Sequence, residues 1–254
     1  MTKFAPLPVP PQAGADFASA LTDKRILIVD DSVACRMVQE AMAKALGAIP
    51  ATAETAVQAM VASSETPFDL IILDIGLADA DGRVLARTLR ETPHGEAAAI
   101  LCVSGLGGQA REAGALEAGA DAFAEKPFAS ISAFGEVANT AIMNRLGVSA
   151  AMAPADLIED RVEELSPYIA SCALEDLTKA RARLIAAVGK GDVSAARRAG
   201  HFISGVASLI GETALDAASR TLETASGDTG ALRSVETVLG LTFDAETKLR
   251  LALS

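Results

Sequence analysis

The chain has 254 residues, half of them hydrophobic, and a formal net charge of -11. This length is typical of two ordinary domains, and an acidic chain without a cationic stripe lacks the basic groups that nucleic-acid binding requires. No apolar run is long enough to cross a bilayer, and the three cysteines lack metal-ligand spacing. We therefore expect a cytoplasmic protein whose partners are other proteins, and we expect neither a nucleic acid nor a membrane as a partner.

The first half of the chain predicts an α/β domain. Residues 1–23 are rich in proline near their start and lack the apolar core of a secretory signal, so we expect a flexible leader there. From residue 24 onward, short apolar runs alternate with longer helical patterns, which predicts βα units and a parallel sheet. The predicted strands are 25–30, 48–53, 69–73, 98–104 and 122–125.

The pattern changes after Arg145. We expect the first domain to cover residues 24–146, a linker to cover 147–155, and an all-α helical bundle domain to cover 156–254. Asp192 can cap the second helix of this bundle with its carboxylate. Glycine-containing breaks separate the predicted helices, which are 167–188, 192–210, 212–225, 232–239 and 244–253.

Five polar residues mark the ends of four predicted strands. Asp30 and Asp31 end the first strand, Asp74 the third, Ser104 the fourth and Lys126 the fifth. The carboxyl ends of parallel strands converge on one crevice, and clustered carboxylates suit Mg²⁺. We expect Asp31 to bind the ion directly and Asp30 partly through water. Asp74 is then the candidate nucleophile for phosphoryl transfer, while Lys126 and Ser104 would bind phosphoryl oxygens.

At these residues the chain resembles the receiver domains of two-component response regulators, over residues 24–146. The resemblance implies a flavodoxin-like, doubly wound, five-stranded parallel sheet and a donor that is a sensor histidine kinase or a phosphotransfer protein. It also implies that the Gly76 carbonyl completes the metal site and that Ser104 and Phe123 form a switch pair. The matching residues are Asp30-Asp31, Asp74, Asp81-Gly82, Ser104, Phe123 and Lys126-Pro127-Phe128.

Two residues depart from the usual receiver pattern. Ala78 stands where the family usually has proline, which predicts a looser loop after Asp74. Phe123 replaces the commoner tyrosine, which keeps the ring but removes its hydroxyl, so we expect an altered switch.

The helical half contains one histidine, His201. Helical spacing places Phe202 and Ile203 on an apolar stripe and His201 on the opposite face. Ser204 and Gly205 share that opposite face. The spacing therefore predicts that His201 points to solvent, where another protein has room to approach.

The helical half resembles a histidine-containing phosphotransfer (HPt) domain over about residues 155–253. The resemblance implies that His201 exchanges a phosphoryl group with a receiver aspartate, so a second receiver domain is a candidate partner there. Ser204 stands where the family usually has lysine, which predicts slower transfer or partial substitution by Arg197 or Arg198. His94 is interpreted as a solvated turn residue without a function. The matching residues are His201, Gly205 and Gly211.

The leading hypothesis is a phosphorelay protein that receives a phosphoryl group on Asp74 and exchanges one through His201. Two alternatives stay open. In one, phosphorylation at Asp74 switches a regulatory interaction, and the helical half is a degenerate docking or dimerisation module without transfer. In the other, hydrolysis at Asp74 drains a pathway. The sequence has no nucleotide-binding pattern of a kinase, so we do not expect phosphorylation from ATP by the chain itself.

Overall fold

The computed structural model describes residues 20–105, 107–148, 167–225 and 227–253. They belong to two compact units, one built around a sheet and one built from helices. Most of the predicted leader and linker lies outside the described residues. The predicted domain boundary near residues 147–155 therefore stays a prediction.

The first unit contains a five-stranded parallel sheet in the order β2-β1-β3-β4-β5. This is the flavodoxin-like, doubly wound order, so the predicted fold class is confirmed. Each strand boundary lies within one residue of its predicted position. The strands are β1 (Arg25–Val29), β2 (Ile49–Ala53), β3 (Leu70–Asp74), β4 (Ala99–Ser104) and β5 (Ala122–Glu125).

The two strands β3 and β4 form the centre of the core. All of their residues are buried, because helices cover both faces of the sheet, and this explains their uninterrupted apolar runs. Thr55 caps the second helix by accepting a hydrogen bond from the amide of Gln58 at 3.1 Å. The helices are α1 (Val33–Ala45), α2 (Ala56–Glu65), α3 (Gly82–Arg90), α4 (Pro93–Ala97), α5 (Gln109–Glu117) and α6 (Ile131–Arg145).

The sheet order reverses between β1 and β3, which opens a crevice at their carboxyl ends. In the parallel register Val29 pairs with Leu73, so the residues that follow them, Asp30 and Asp74, lie side by side. Asp74 itself pairs with Val103 of β4. The register alone therefore brings residues from three strands to one point.

Arg90 holds together several segments at the opposite, amino-terminal edge of the sheet. Its guanidinium donates to the carbonyls of Gly95 at 2.7 Å, Ala98 at 2.6 Å and Gly119 at 2.8 Å. It also forms an ion pair with Asp121. Burial lowers the pKa of Arg90, and the Asp121 carboxylate opposes that shift. This cluster fixes the chain just before β4 and β5.

His94 does not lie in a solvated turn. It belongs to α4, it is partly buried, and its Nδ1 lies 2.8 Å from the carbonyl oxygen of Ser63 on α2. This contact links α4 to α2, so the imidazole ring of His94 has a structural role.

The second unit is a bundle in which α7 packs on α8 and α10, and α9 packs on α8 and α10. Asp192 caps α8 as predicted, accepting from the amide of Ala195 at 2.9 Å. Gly191 and Gly211 follow α7 and α8 with φ angles of 65° and 75°, a left-handed conformation that favours glycine. The helices are α7 (Pro167–Gly189), α8 (Val193–Leu209), α9 (Thr213–Thr224) and α10 (Gly227–Leu253).

The predicted break between residues 239 and 244 is wrong. A continuous α10 runs through Gly240 for 27 residues. A glycine inside a helix costs only about 1 kcal/mol relative to alanine, and packing of α10 against α7 and α9 offsets that cost. Within the described part of the chain, no helix has both the length and the apolar character needed to span a membrane.

Candidate functional site

Three carboxylates meet at the carboxyl edge of the sheet. Asp30, Asp31 and Asp74 each offer an oxygen atom, and these atoms lie within 4.8 Å of one another. Asp30 and Asp74 are only 1% and 3% exposed, whereas Asp31 is partly buried. The structure thus brings together the three aspartates that were predicted to form one site.

Lys126 joins two of these carboxylates. Its Nζ atom lies 2.8 Å from Oδ2 of Asp30 and 2.9 Å from Oδ2 of Asp74, and the residue is 8% exposed. The backbone amide of Lys126 donates to the carbonyl of Ser104 at 2.8 Å, which positions the residue after β5 beside the end of β4. One ammonium stabilises two buried carboxylates that would otherwise repel each other.

The cluster fits a divalent cation. Three ionised carboxylates and one ammonium carry two excess negative charges, and close like charges in a partly buried site are costly. Carboxylate oxygens are the hard ligands that Mg²⁺ prefers. Asp30, Asp31 and Asp74 are therefore the residues that would hold this ion, and its binding by this chain stays a prediction.

The loop after Asp74 makes contacts on both sides of Ala78, and the loosening expected from Ala78 stays a prediction. The amide of Gly76 donates to Oδ1 of Asp74 at 3.2 Å, and Leu77 is buried in the core. The Asp79 carboxylate accepts from the backbone amide of Ala56, the first residue of α2, with N–O distances of 3.0 and 3.2 Å. Asp79 thus supplies a restraint next to Ala78.

The loop ends at Asp81, which caps α3. Its Oδ1 accepts from the backbone amide of Arg83 at 2.9 Å, and its Oδ2 lies 2.6 Å from the Arg83 guanidinium. The Arg83 side chain is the main cause of the lowered pKa of Asp81. Asp81 is therefore ionised at neutral pH and serves α3 as its N-cap.

Gly82→Ala is expected to destabilise the first unit by about 2 kcal/mol through overpacking. A Cβ at Gly82 would lie 2.2 Å from the carbonyl oxygen of Asp74 and 2.8 Å from Cα of Ile75, both backbone atoms where the loop after Asp74 begins. Urea unfolding of the full chain, followed by circular dichroism, measures the loss.

Gly114→Ala is the matched control on α5. Its added Cβ would meet only the flexible Arg83 side chain, at 3.4 Å from Nη1 and 3.8 Å from Cδ, and alanine favours a helix more than glycine does. Stability should stay the same or rise. Equal stability of the two variants would contradict the close backbone approach at Gly82.

Ser104 and Phe123, the predicted switch pair, lie on the neighbouring strands β4 and β5. Ser104 is fully buried and directly follows Val103, the residue of β4 that pairs with Asp74. Phe123 is partly buried and packs against the core. Cys102, which pairs with Phe123, has its pKa raised to about 12 by burial, so its thiol stays protonated. This agrees with a packing role for Cys102.

Gln39 is a residue of this site that sequence reasoning missed. It lies on α1, is 3% exposed, and donates through Nε2 to Oδ2 of Asp30 at 3.2 Å. A signal was present in the sequence, because Gln39 lies four residues after Cys35 and three before Met42 on the buried stripe of α1. A polar residue within an apolar stripe needs a polar partner.

His201 lies in the other unit, and the prediction that it points to solvent is wrong. The residue is 7% exposed, and its Nδ1 lies 3.1 Å from Oε2 of Glu223 on α9. Helix α9 covers this face of α8 because small residues allow a close approach. A Cβ at Gly200, for example, would lie 3.1 Å from Cδ2 of Leu222.

The residue at the position of the expected lysine, Ser204, is buried against α9. Its hydroxyl donates to the Asp216 carboxylate, which also accepts from Nε of Arg220 at 2.9 Å. Arg197 donates to the carbonyl of Ala225 at 2.8 Å. Of these basic residues, Arg220 lies on α9, the helix that contacts His201 through Glu223.

Residues 26–134 match the family model of the response regulator receiver domain. The gliding motility regulatory protein of Myxococcus xanthus is 35% identical over 109 residues, 43% of this chain and 14% of that protein. The chemotaxis protein CheY of Bacillus subtilis is 34% identical over 105 residues, 41% of this chain and 86% of that protein. The solved structure of the chemotaxis response regulator CheY4 of Vibrio cholerae is 21% identical in sequence and superposes with a TM-score of 0.45. The match covers 47% of this chain and 99% of that chain. The chain thus spans most of CheY but a small part of the gliding motility protein.

Proposed function

The chain belongs to the response regulator receiver family through residues 26–134, and we propose that it is a two-component signalling protein that accepts a phosphoryl group on Asp74 from a partner's phosphohistidine. The observation that carries this proposal is the geometry around Asp74. Its carboxylate lies beside two further carboxylates and 2.9 Å from the Lys126 ammonium.

In the proposed reaction, a carboxylate oxygen of Asp74 attacks phosphorus. A new O–P bond forms while the N–P bond of the donor breaks, and the donor imidazole leaves with the electron pair. Lys126 and Ser104 bind phosphoryl oxygens. Mg²⁺ held by Asp30, Asp31, Asp74 and the Gly76 carbonyl would neutralise phosphoryl charge. The test is transfer of label from a phosphorylated histidine kinase, with Asp74→Asn as the decisive variant.

A second candidate function is phosphoryl exchange through His201, and the Glu223 contact favours it. A carboxylate beside Nδ1 favours a proton on that nitrogen, and the nucleophilic lone pair is then on Nε2. In this step Nε2 would attack the phosphorus of an aspartyl phosphate, forming an N–P bond as the O–P bond breaks. Arg220, one helical turn before Glu223 on α9, is the candidate cation for the transferred group.

A docking module without transfer is the alternative, and the burial of His201 favours it. A phosphoryl group on this ring would lie close to the Glu223 carboxylate, and like charges repel. It would also require a receiver to reach a residue that α9 covers. The two functions for the helical half predict opposite results in one labelling experiment.

Label should pass from a separate phosphorylated receiver protein to the full chain carrying Asp74→Asn if His201 transfers. The label should be stable to base, labile to acid, and absent when His201→Gln is added. Glu223→Gln should slow labelling by about tenfold or more, because the ring loses the carboxylate that orients it. Glu212→Gln, at the other end of α9, is the control. No label on His201 in any chain would support the docking module.

A further inference from the structure

Gln39 contacts the acidic cluster from the side of α1. Its Nε2 donates to Oδ2 of Asp30 at 3.2 Å, the same oxygen that lies 2.8 Å from Nζ of Lys126. Two donors from α1 and from the end of β5 therefore converge on one carboxylate oxygen. The Asp30 carboxylate is held in one orientation by both of them.

The other end of the Gln39 amide has an unusual environment. Its Oε1 atom is buried and accepts no hydrogen bond from any residue that the structure describes. An amide oxygen in that position loses its hydrogen bonds with water on folding and gains none in return, which destabilises the fold. In native structures, an ordered water or an ion is one of the partners that satisfy such an atom.

The chemistry of a hydrated cation matches this acceptor. Mg²⁺ keeps several water ligands in protein sites, and a water bound to a cation donates both of its hydrogen atoms. The groups that surround such a water must therefore be acceptors. The Lys126 ammonium at Asp30 offers only donors, whereas the amide group of Gln39 that donates to Asp30 also carries a buried acceptor, its Oε1 atom.

We propose that Gln39 is a positioning residue of the cation site: its amide N–H holds the Asp30 carboxylate, and its buried oxygen accepts a hydrogen bond from a water of the hydrated cation. This inference rests on the proposed function of the cluster. It adds a residue on α1 that sets the affinity for the cation without binding the ion itself.

The test compares the wild-type chain with Gln39→Met, which keeps an unbranched side chain of similar size and removes both the donor and the acceptor. Mn²⁺ serves as the probe, because free Mn²⁺ is counted directly by electron paramagnetic resonance. We expect Gln39→Met to bind Mn²⁺ about tenfold more weakly. Gln58→Met, at an exposed position on α2, should bind like the wild type.

Thermal unfolding in EDTA and in Mg²⁺ separates this role from a purely structural one. Gln39→Met should unfold near the wild-type temperature in EDTA and gain less than the wild type from Mg²⁺. A large loss in EDTA with unchanged Mn²⁺ affinity would overturn the inference and leave the proposed function intact. A wild-type chain that binds no Mn²⁺ would overturn both, because the cluster would then not be a cation site.

Discussion

Asp74→Asn is expected to abolish phosphoryl uptake by the full chain from a phosphorylated histidine kinase. The amide of asparagine has no carboxylate oxygen to attack phosphorus, so the O–P bond of the acyl phosphate cannot form. The measurement is label on the chain after separation from the donor, with its lability to hydroxylamine as the signature of an acyl phosphate. EDTA should also prevent labelling of the wild type, because three close carboxylates would then lack a divalent cation.

Asp69→Asn is the matched control. Asp69 immediately precedes the same strand that Asp74 ends, and its partners are Lys24 and the amide of Arg25, at the other edge of the sheet. This variant should take up label at the wild-type rate. Undiminished labelling of Asp74→Asn would contradict the proposal and would direct the search for the acceptor to His201.

Lys126→Met is expected to lower the free energy of unfolding by about 3 kcal/mol when no divalent cation is available. The substitution leaves the buried carboxylates of Asp30 and Asp74 without the ammonium that lies 2.8 and 2.9 Å from them. Part of the loss should be regained in millimolar Mg²⁺, because the ion replaces the missing positive charge. Urea unfolding in EDTA and in Mg²⁺ measures both effects.

Lys24→Met is the control for removal of a lysine. Lys24 pairs with Asp69 at 3.0 Å, but both side chains are partly exposed, so the loss should stay below about 1 kcal/mol and should not depend on Mg²⁺. If Lys126→Met were as stable as the wild type in EDTA, the interpretation of Lys126 as the counter-charge of the cluster would be wrong.

The sheet and its acidic edge are predictable from sequence because both depend on local patterns. The apolar runs of β3 and β4 identify strands buried on both faces, and the polar residue at the end of each run lies at the carboxyl edge. The rule that parallel strands share this edge then brings Asp30, Asp74 and Ser104 together without further information.

The surroundings of His201 are not predictable in this way. Helical spacing shows which residues of α8 share a face, but it does not show which neighbouring helix covers that face. Glu223 follows 22 residues later and meets the ring only because α9 folds back along α8. Gln39 is a second example. Its position on an apolar stripe predicts burial, but only the fold shows that its amide donates a hydrogen bond to Asp30.

Arg90 makes its contacts at only one edge of the sheet in the first unit, the amino-terminal edge. Its contacts fix the segments that lead into β4 and β5, whereas the acidic cluster lies where the strands end. The contacts of Arg90 and the carboxylates proposed to take part in phosphoryl transfer therefore lie at opposite edges of one sheet. Substitutions in the acidic cluster, such as Asp74→Asn, are therefore expected to leave the Arg90 contacts before β4 and β5 in place.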